Sequence, residues 1–201
     1  MFTGIVSHIA KIEEIIHQQN CDSFLKISLD KNSIKKKLKI GSSIACNGIC
    51  LTLTTQEISL QKLLLTFYAS QETFNKTTLK NFRKNDFINV EFSLKIGDEL
   101  GGHLVLGHVD DTASIIDINS IKDSWIFTFE LKDNFKKFVV KKGSITINGV
   151  SLTINNVLKN SFEVNIIKHT FDNTTFKDLQ KNQLVNIEID VIARYVNANI
   201  S

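Results

Sequence analysis

The chain contains no proline, one tryptophan, one methionine and three cysteines in 201 residues. Cys21, Cys46 and Cys50 make an odd count with no paired spacing. That fits a reducing compartment, the cytoplasm, better than a disulfide framework. No stretch of about 18 apolar residues occurs, so no membrane-spanning helix and no membrane partner are expected. The start, Met1 to Val6, has neither a basic segment nor a long apolar run, so no signal peptide is read. An excess of one charge is missing too: 24 Lys and Arg face 21 Asp and Glu, for a net +3. The single basic cluster, 35–37, has no aromatic residues interleaved with it. It reads as a solvated helix face, and no nucleic-acid partner is expected. The lack of proline goes with abundant Ile, Lys and Asn and is read as compositional drift of the source genome. Turn-making then falls to the nine glycines.

What the chain does have is a phrase used twice. Ser43-Ile-Ala-Cys-Asn47-Gly48-Ile-Cys50-Leu-Thr52 returns half a chain later as Ser144-Ile-Thr-Ile-Asn148-Gly149-Val-Ser151-Leu-Thr153. A repeat of that period means a duplicated domain, not a solenoid. Other pieces recur in the same order. Residues 2–10 match 105–113, both short and rich in strand formers, and 24–29 match 125–131, where Trp125, Phe127, Phe129 and Leu131 alternate with less apolar residues as in a half-buried strand. Segments 30–38 and 133–140 each begin with an Asp able to cap a helix and carry a short apolar stripe, so both are expected to be helical. Asn-Gly between two β runs signals a hairpin. Residues 63–69 and 161–167 are further strands, followed by short polar segments 71–78 and 168–175. Final strands cover 86–93 and 183–190, which share Asn-x-Glu (Asn89-Val-Glu91, Asn186-Ile-Glu188).

The expected fold is therefore all-β: two tandem homologous six-stranded antiparallel Greek-key barrels with short helices and a C-terminal helix. The expected divisions are an N-terminal barrel over 1–97, a C-terminal barrel over 98–190 and an oligomerising helix over 191–201. Val191, Ile192, Tyr195, Val196 and Ile200 give that tail an amphipathic spacing. With no barrel of its own to cover, it is expected to pack against another copy.

Several chemistries compete at the polar residues. His103 and His108 with Cys46 and Cys50 suggest a metal, but His-x4-His does not put both rings on one helix face, and no metal is expected. Gly101-Gly102 lacks the strand–loop–helix setting of a phosphate loop. Cys50 is either a nucleophile with a His base, a ligand contact, or a small group beside a hairpin. Alternation puts Cys50 and Thr52, and likewise Ser151 and Thr153, on one side of their strands and the leucines on the other. With the leucines inside the barrel, the small polar groups line a groove suited to a flat polar heterocycle bearing a hydroxylated chain.

At these residues the chain resembles the riboflavin synthase family, trimeric enzymes of tandem lumazine-binding barrels. The resemblance runs end to end. Its most specific parts are Met1-Phe-Thr-Gly-Ile-Val6, the Asn47-Gly48-x-Cys50-Leu-Thr52 hairpin, Gly101-Gly102-His103-Leu-x-x-Gly107-His108, and Asn148-Gly149-x-Ser151-Leu-Thr153. It implies a transferase that dismutates two molecules of 6,7-dimethyl-8-ribityllumazine by four-carbon transfer. The products are riboflavin and 5-amino-6-(D-ribitylamino)uracil, the last step of riboflavin biosynthesis, without cofactor or metal. It implies a homotrimer, lumazine synthase as a further partner, and an active site between the N-terminal barrel of one subunit and the C-terminal barrel of a neighbour.

By the same resemblance the N-terminal site would use Phe2, Thr3, Gly4, Ile5, Val6, Ser43, Cys50, Leu51, Thr52, Tyr68, Ala69, Ser70 and Thr73. His103, Gly107, His108 and Val109 belong to the junction and the opening of the second barrel. The C-terminal site would use Lys142, Ser151, Leu152, Thr153, Ile167, Lys168, His169, Thr170, Phe171 and Asp172, with Asp190 closing the last strand. Ser43, Cys50, His103, His108, Ser151 and Asp190 are the residues expected to carry catalysis. The sequence departs from the family pattern at Asn148, where Asp is common, at Ile49 in place of a second Cys, and at Lys168-His169-Thr170 in place of a Pro-Glu-Thr-like stretch. Two rivals remain: an antenna protein that binds a chromophore without turnover, and a β-barrel interaction or nucleic-acid module.

Overall fold

The computed structural model describes residues 1–16, 23–35 and 37–199. Cys21, Lys36 and Ile200 lie outside the described residues. Two closed barrels of six antiparallel strands make up the protein. The first holds β1 (His8–Ile16), β2 (Ser23–Asp30), β3 (Ser43–Cys46), β4 (Ile49–Ser59), β5 (Lys62–Ala69) and β6 (Phe87–Phe92), in the order β1-β2-β5-β4-β3-β6. The second holds β7 (Asp111–Ile121), β8 (Ser124–Glu130), β9 (Ser144–Ile147), β10 (Val150–Val157), β11 (Ser161–Ile167) and β12 (Leu184–Ile189) in the matching order β7-β8-β11-β10-β9-β12. Strands 3-4-5 form a meander while strand 2 returns beside strand 5, a Greek key. Register slips fall at matching places, Ile12/Glu14 with Ile115/Asp117 and Leu53/Thr55 with Ile154/Asn156. Bulges of this kind bend a sheet and help it close.

The doubled hairpin is as its sequence requires. Asn47 and Gly48 have φ of 47° and 78°, and Asn148 and Gly149 have 46° and 81°. Two successive left-handed residues make the tight turn that matches strand twist, which is why Asn-Gly occupies it twice. Each barrel fills its interior with alternating residues: Leu51, Leu53, Leu65 and Phe67 in the first, Leu152, Ile154, Phe127, Phe129 and Phe162 in the second. A third, smaller cluster of Phe2, Ala45 and Val105 joins the barrels.

Three expectations need correction. Residues 2–7 and 105–110 are not strands. They run between the barrels, and Phe2 pairs with Val105 through reciprocal backbone bonds of 2.7 and 3.1 Å. Segments 30–38 and 133–140 hold only single 3-10 turns, Lys31–Ser33 and Asp133–Phe135. Asp30 does cap, accepting the Asn32 N–H, but Lys132 occupies the other cap position and its side chain does not cap the turn. So short a helix is marginal alone, and Leu38 and Val139 reach their cores from irregular chain. Conversely, the polar segments after β5 and β11 contain α1 (Gln71–Lys76) and α2 (Lys168–Asn173). The tail is α3 (Val191–Ala198), capped by Asp190 and tied down where Arg194 grips Asp110 at 2.8 and 2.9 Å. Ala193 packs on the second core while Ile192, Tyr195 and Val196 stay exposed.

Candidate functional site

The two halves are related by a pseudo-twofold axis, and each lends its opening segment to the other. Cys50, on β4 of the first barrel, donates its N–H to the Gly107 carbonyl (2.8 Å). Ser151, on β10 of the second, donates its N–H to the Gly4 carbonyl (2.8 Å). Val109 packs on the first core and Val6 on the second. The crossing demands glycine. Gly4 and Gly107 have φ of 75° and 78°, and a Cβ on either would stand 2.6 Å from the Cβ of Ser151 or Cys50. Gly4, Ile5 and Val6 thus lie with Ser151, whereas Gly107, His108 and Val109 lie with Cys50.

Two buried carboxylates hold these crossings in place, and sequence reading did not single them out. Glu91 accepts the Thr3 and Gly4 N–H groups (2.7 and 2.9 Å) and the Thr3 hydroxyl (2.8 Å). Glu188 accepts the Leu106 and Gly107 N–H groups (2.7 and 3.0 Å). Burial pushes the pKa of both upward, against the pull of these bonds, and Glu188 reaches about 7. The repeated Asn-x-Glu on the last strand of each half was the available signal: a doubled acid in a strand that should face inward. Its asparagines work alongside. The Asn89 amide donates to the Asn148 carbonyl (2.9 Å) and its oxygen accepts the Thr175 N–H (2.8 Å); Asn186 does the same toward Asn47 (2.8 Å) and Thr78 (2.8 Å).

Around Cys50 lies an open cavity of about 310 Å³, lined also by Thr73, Lys76, Gly107, His108 and Val109. Thr52 is exposed beside it, opposite Ser43 on β3 and Tyr68 on β5. Ser70 caps α1 by accepting the Thr73 N–H (3.2 Å). Leu51 and Ala69 are buried and offer only backbone. Phe2 is fully buried between the barrels, and Thr3 is buried on Glu91, so neither side chain is open to a ligand.

The Ser151 surroundings differ in their chemistry. His103 Nδ1 and Ser151 Oγ share a hydrogen bond of 2.7 Å, and Nε2 meets the Thr146 hydroxyl at 3.0 Å. Burial lowers the His103 pKa, only partly opposed by the Asp190 charge, which favours the neutral ring. Gly102 must be glycine because a Cβ would strike the Thr3 carbonyl and stand 2.8 Å from Ser151 Cβ. Thr153 is exposed on β10 and Leu152 is buried. Ile167 and His169 are exposed at the start of α2, with Thr170 half-buried behind them. Phe171 stacks on Trp125 (3.7 Å between centroids, 5° between planes). Lys168 pairs with Asp172 at 2.8 Å. Lys142 sits in a left-handed conformation, φ 70°, where the first half has Gly41.

Cys46 is fully buried, and burial pushes its thiol pKa up, so it is a core group. Among the described residues no group of three or more His, Cys, Asp or Glu is placed to hold a metal. No helix among them is long and apolar enough to cross a membrane.

A pair of duplicated barrels, each tied through Cys50 or Ser151 to the opening segment of the other half, defines a class. The family model described as the Lumazine binding domain matches residues 3–93 and 106–190. Over the whole chain, identity is 36% to the riboflavin synthase of Brucella abortus (strain 2308), covering 97% of this chain and 96% of that one. It is 39% to that of Buchnera aphidicola subsp. Schizaphis graminum (strain Sg), over 98% and 92%, and 33% to that of Bacillus subtilis (strain 168), over 98% and 88%. The chain belongs to the riboflavin synthase family of tandem lumazine-binding proteins. Among solved structures the fold is shared with LumP complexed with riboflavin, at TM-score 0.83 and 24% identity over 94% of this chain and 99% of that one. It is shared equally with LumP complexed with 6,7-dimethyl-8-(1'-D-ribityl) lumazine, at TM-score 0.81 and 23% identity over the same shares.

Proposed function

We infer that the chain catalyses the riboflavin synthase reaction. Two molecules of 6,7-dimethyl-8-ribityllumazine combine, one donating a four-carbon unit to the other, to give riboflavin and 5-amino-6-(D-ribitylamino)uracil. The observation that carries this reading is the matched pair of sites in a full-length member of the family. Two like substrates are met by the matched strand positions of Cys50 and Ser151, each bonded through its N–H to a glycine carbonyl of the other half.

In this reading each barrel binds one lumazine. The outward hydroxyls of Ser43, Thr52, Thr73, Thr153 and Thr170 take the ribityl chain, and backbone groups of 68–70 and 167–170 take the heterocycle. Much of the rate enhancement is the holding of two rings face to face. His103, kept neutral and bonded to Ser151, accepts the acidic methyl proton or returns it; His108 and Cys50 act on the ring in the other site, and Asp190 biases His103. The ring of His103 already has both nitrogens engaged, which fixes its orientation.

Within one chain the Cys50 cavity contains no residue of the Ser151 surroundings. The two substrates therefore meet between the N-terminal barrel of one subunit and the C-terminal barrel of the next, as units 1–97 and 98–190. A trimer joined through the exposed face of α3, in unit 191–201, supplies that arrangement. A cytoplasmic setting and an association with lumazine synthase belong to the same proposal; the free thiols suit the former.

The test is direct. The purified chain given only 6,7-dimethyl-8-ribityllumazine should develop riboflavin fluorescence, one riboflavin for every two lumazines consumed. Tight binding without product would instead make it a chromophore carrier.

A further inference from the structure

The segment 106–110 walls the Cys50 cavity with Gly107, His108 and Val109 and ends at Asp110. Its counterpart, 3–7, ends at Ser7. Both ends make the same backbone bond to the last strand of their own half. Asp110 donates its N–H to the Ile187 carbonyl (2.9 Å), and Ser7 donates its own to the Val90 carbonyl (3.0 Å). Beyond that bond the halves part. The Ser7 hydroxyl turns back to the same Val90 carbonyl (3.2 Å), and among the described residues no helix follows β6 before β7 begins. The Asp110 carboxylate reaches further. Its Oδ2 accepts the Ile189 N–H (2.9 Å), and Arg194 Nη2, on α3, stands 2.8 and 2.9 Å from its two oxygens.

Stability does not account for that grip. None of the residues of α3 is buried, and the Arg194 side chain is 45% exposed against 14% for Asp110. An ion pair so open to water adds little to the folded state. A guanidinium nitrogen straddling a carboxylate does fix geometry, because charge-assisted bonds are short and directional. What it fixes is the end of the segment, two residues beyond His108. Glu188 fixes the middle, at Leu106 and Gly107. His108 and Val109 are thus carried between two anchored points. The crossing beside Ser151 has one carboxylate anchor of this kind, Glu91 at Thr3 and Gly4, and a serine where the second would stand.

We propose that Arg194 is a positioning residue for the Cys50 site: through Asp110 it sets the pose of segment 106–110 and so holds His108 and Val109 against the cavity. The C-terminal helix thereby serves a site on the opposite barrel, and only one of the two sites. The consequence for turnover rests on the synthase reading; the pose does not.

Alkylation of Cys50 by iodoacetamide, followed by peptide mass spectrometry on the full chain, tests the pose. Gly107 lies directly on Cys50, close enough that a Cβ would stand 2.6 Å from the Cys50 Cβ, so a loosened segment uncovers the thiol. Cys46, fully buried on the neighbouring strand, reports any general opening of the barrel. Arg194→Gln should raise the Cys50 rate roughly threefold to fivefold, the size a half-exposed ion pair supports, and leave Cys46 as it was. Arg194→Lys should restore most of the protection. Asp110→Asn should match Arg194→Gln, and the double variant should react no faster than either. The same rise should appear in an Ile192→Glu background, which removes assembly through α3 and separates the pose from subunit contacts. With 6,7-dimethyl-8-ribityllumazine, kcat should fall by a similar factor in Arg194→Gln and recover in Arg194→Lys. Equal Cys50 rates in parent and Arg194→Gln, a rise shared by Cys46, a rise lost in the Ile192→Glu background, or an unchanged kcat in a chain that makes riboflavin would overturn the proposal. A chain that makes no riboflavin at all would sink the synthase reading and leave the Cys50 rates to decide this one.

Discussion

Replacing Glu188 by glutamine isolates the clamp on the Cys50 site. In the folded chain the Glu188 pKa stands at about 7 against an ordinary 4.5, chiefly through burial. Below pH 4.5 the side chain is protonated in both states and contributes no pH dependence. Between 4.5 and 7 the folded chain holds a proton that the unfolded chain has lost, so stability falls as pH rises through this window. Above 7 the loss is complete, and at about 1.4 kcal/mol per pKa unit it amounts to about 3 kcal/mol. Glutamine has the same shape and no charge, so Glu188→Gln removes this dependence. It also turns a donor toward one of the Leu106 and Gly107 N–H groups, at a cost of about 1–3 kcal/mol. The variant should therefore be the less stable near pH 5 and draw level with the parent near pH 8. Urea unfolding followed by the fluorescence of Trp125, the only tryptophan, measures this at constant ionic strength. A parent–variant difference that stays constant from pH 5 to 8 would refute the reasoning.

Other consequences are as sharp. Gly107→Ala places a Cβ 2.6 Å from Cys50 Cβ at φ 78°; it should cost upward of about 3 kcal/mol and abolish riboflavin formation, checked by unfolding and by turnover. Asn89→Ala removes the partners of the Asn148 carbonyl and the Thr175 N–H, so denaturation should show a loss of about 2–4 kcal/mol. Ser151→Ala and Cys50→Ala should slow turnover unequally, because only Ser151 is bonded to an imidazole; equal and negligible losses would make both spectators. Ile192→Glu on the exposed face of α3 should shift sedimentation toward the monomer without unfolding the barrels.

The parts legible in the sequence share a cause. Asn-Gly turns, the alternation of Cys50 and Thr52 about Leu51, and the doubled order of strands are local, governed by backbone preference and a period of two. They hold wherever neighbouring residues alone decide. The short helices were misplaced because propensity is weak over a single turn. Asp30 could cap its segment without making it a helix, and α2 formed with no side-chain cap at all.

The site itself is where distance along the chain matters. Residues of the opening segment and of the last strand, Thr3 and Glu91, meet across 88 positions, and Asn186 meets Asn47 across 139. No spacing rule announces such contacts. The sequence by itself determined two barrels, two hairpins and the outward side of each pocket. Only the tertiary structure decided that the halves exchange their opening segments, that Glu91 and Glu188 hold them, and that His103 stands on Ser151. The reason is physical: burial of Phe2 against Val105 brings each segment under the other barrel, and a buried backbone must then find its acceptors there.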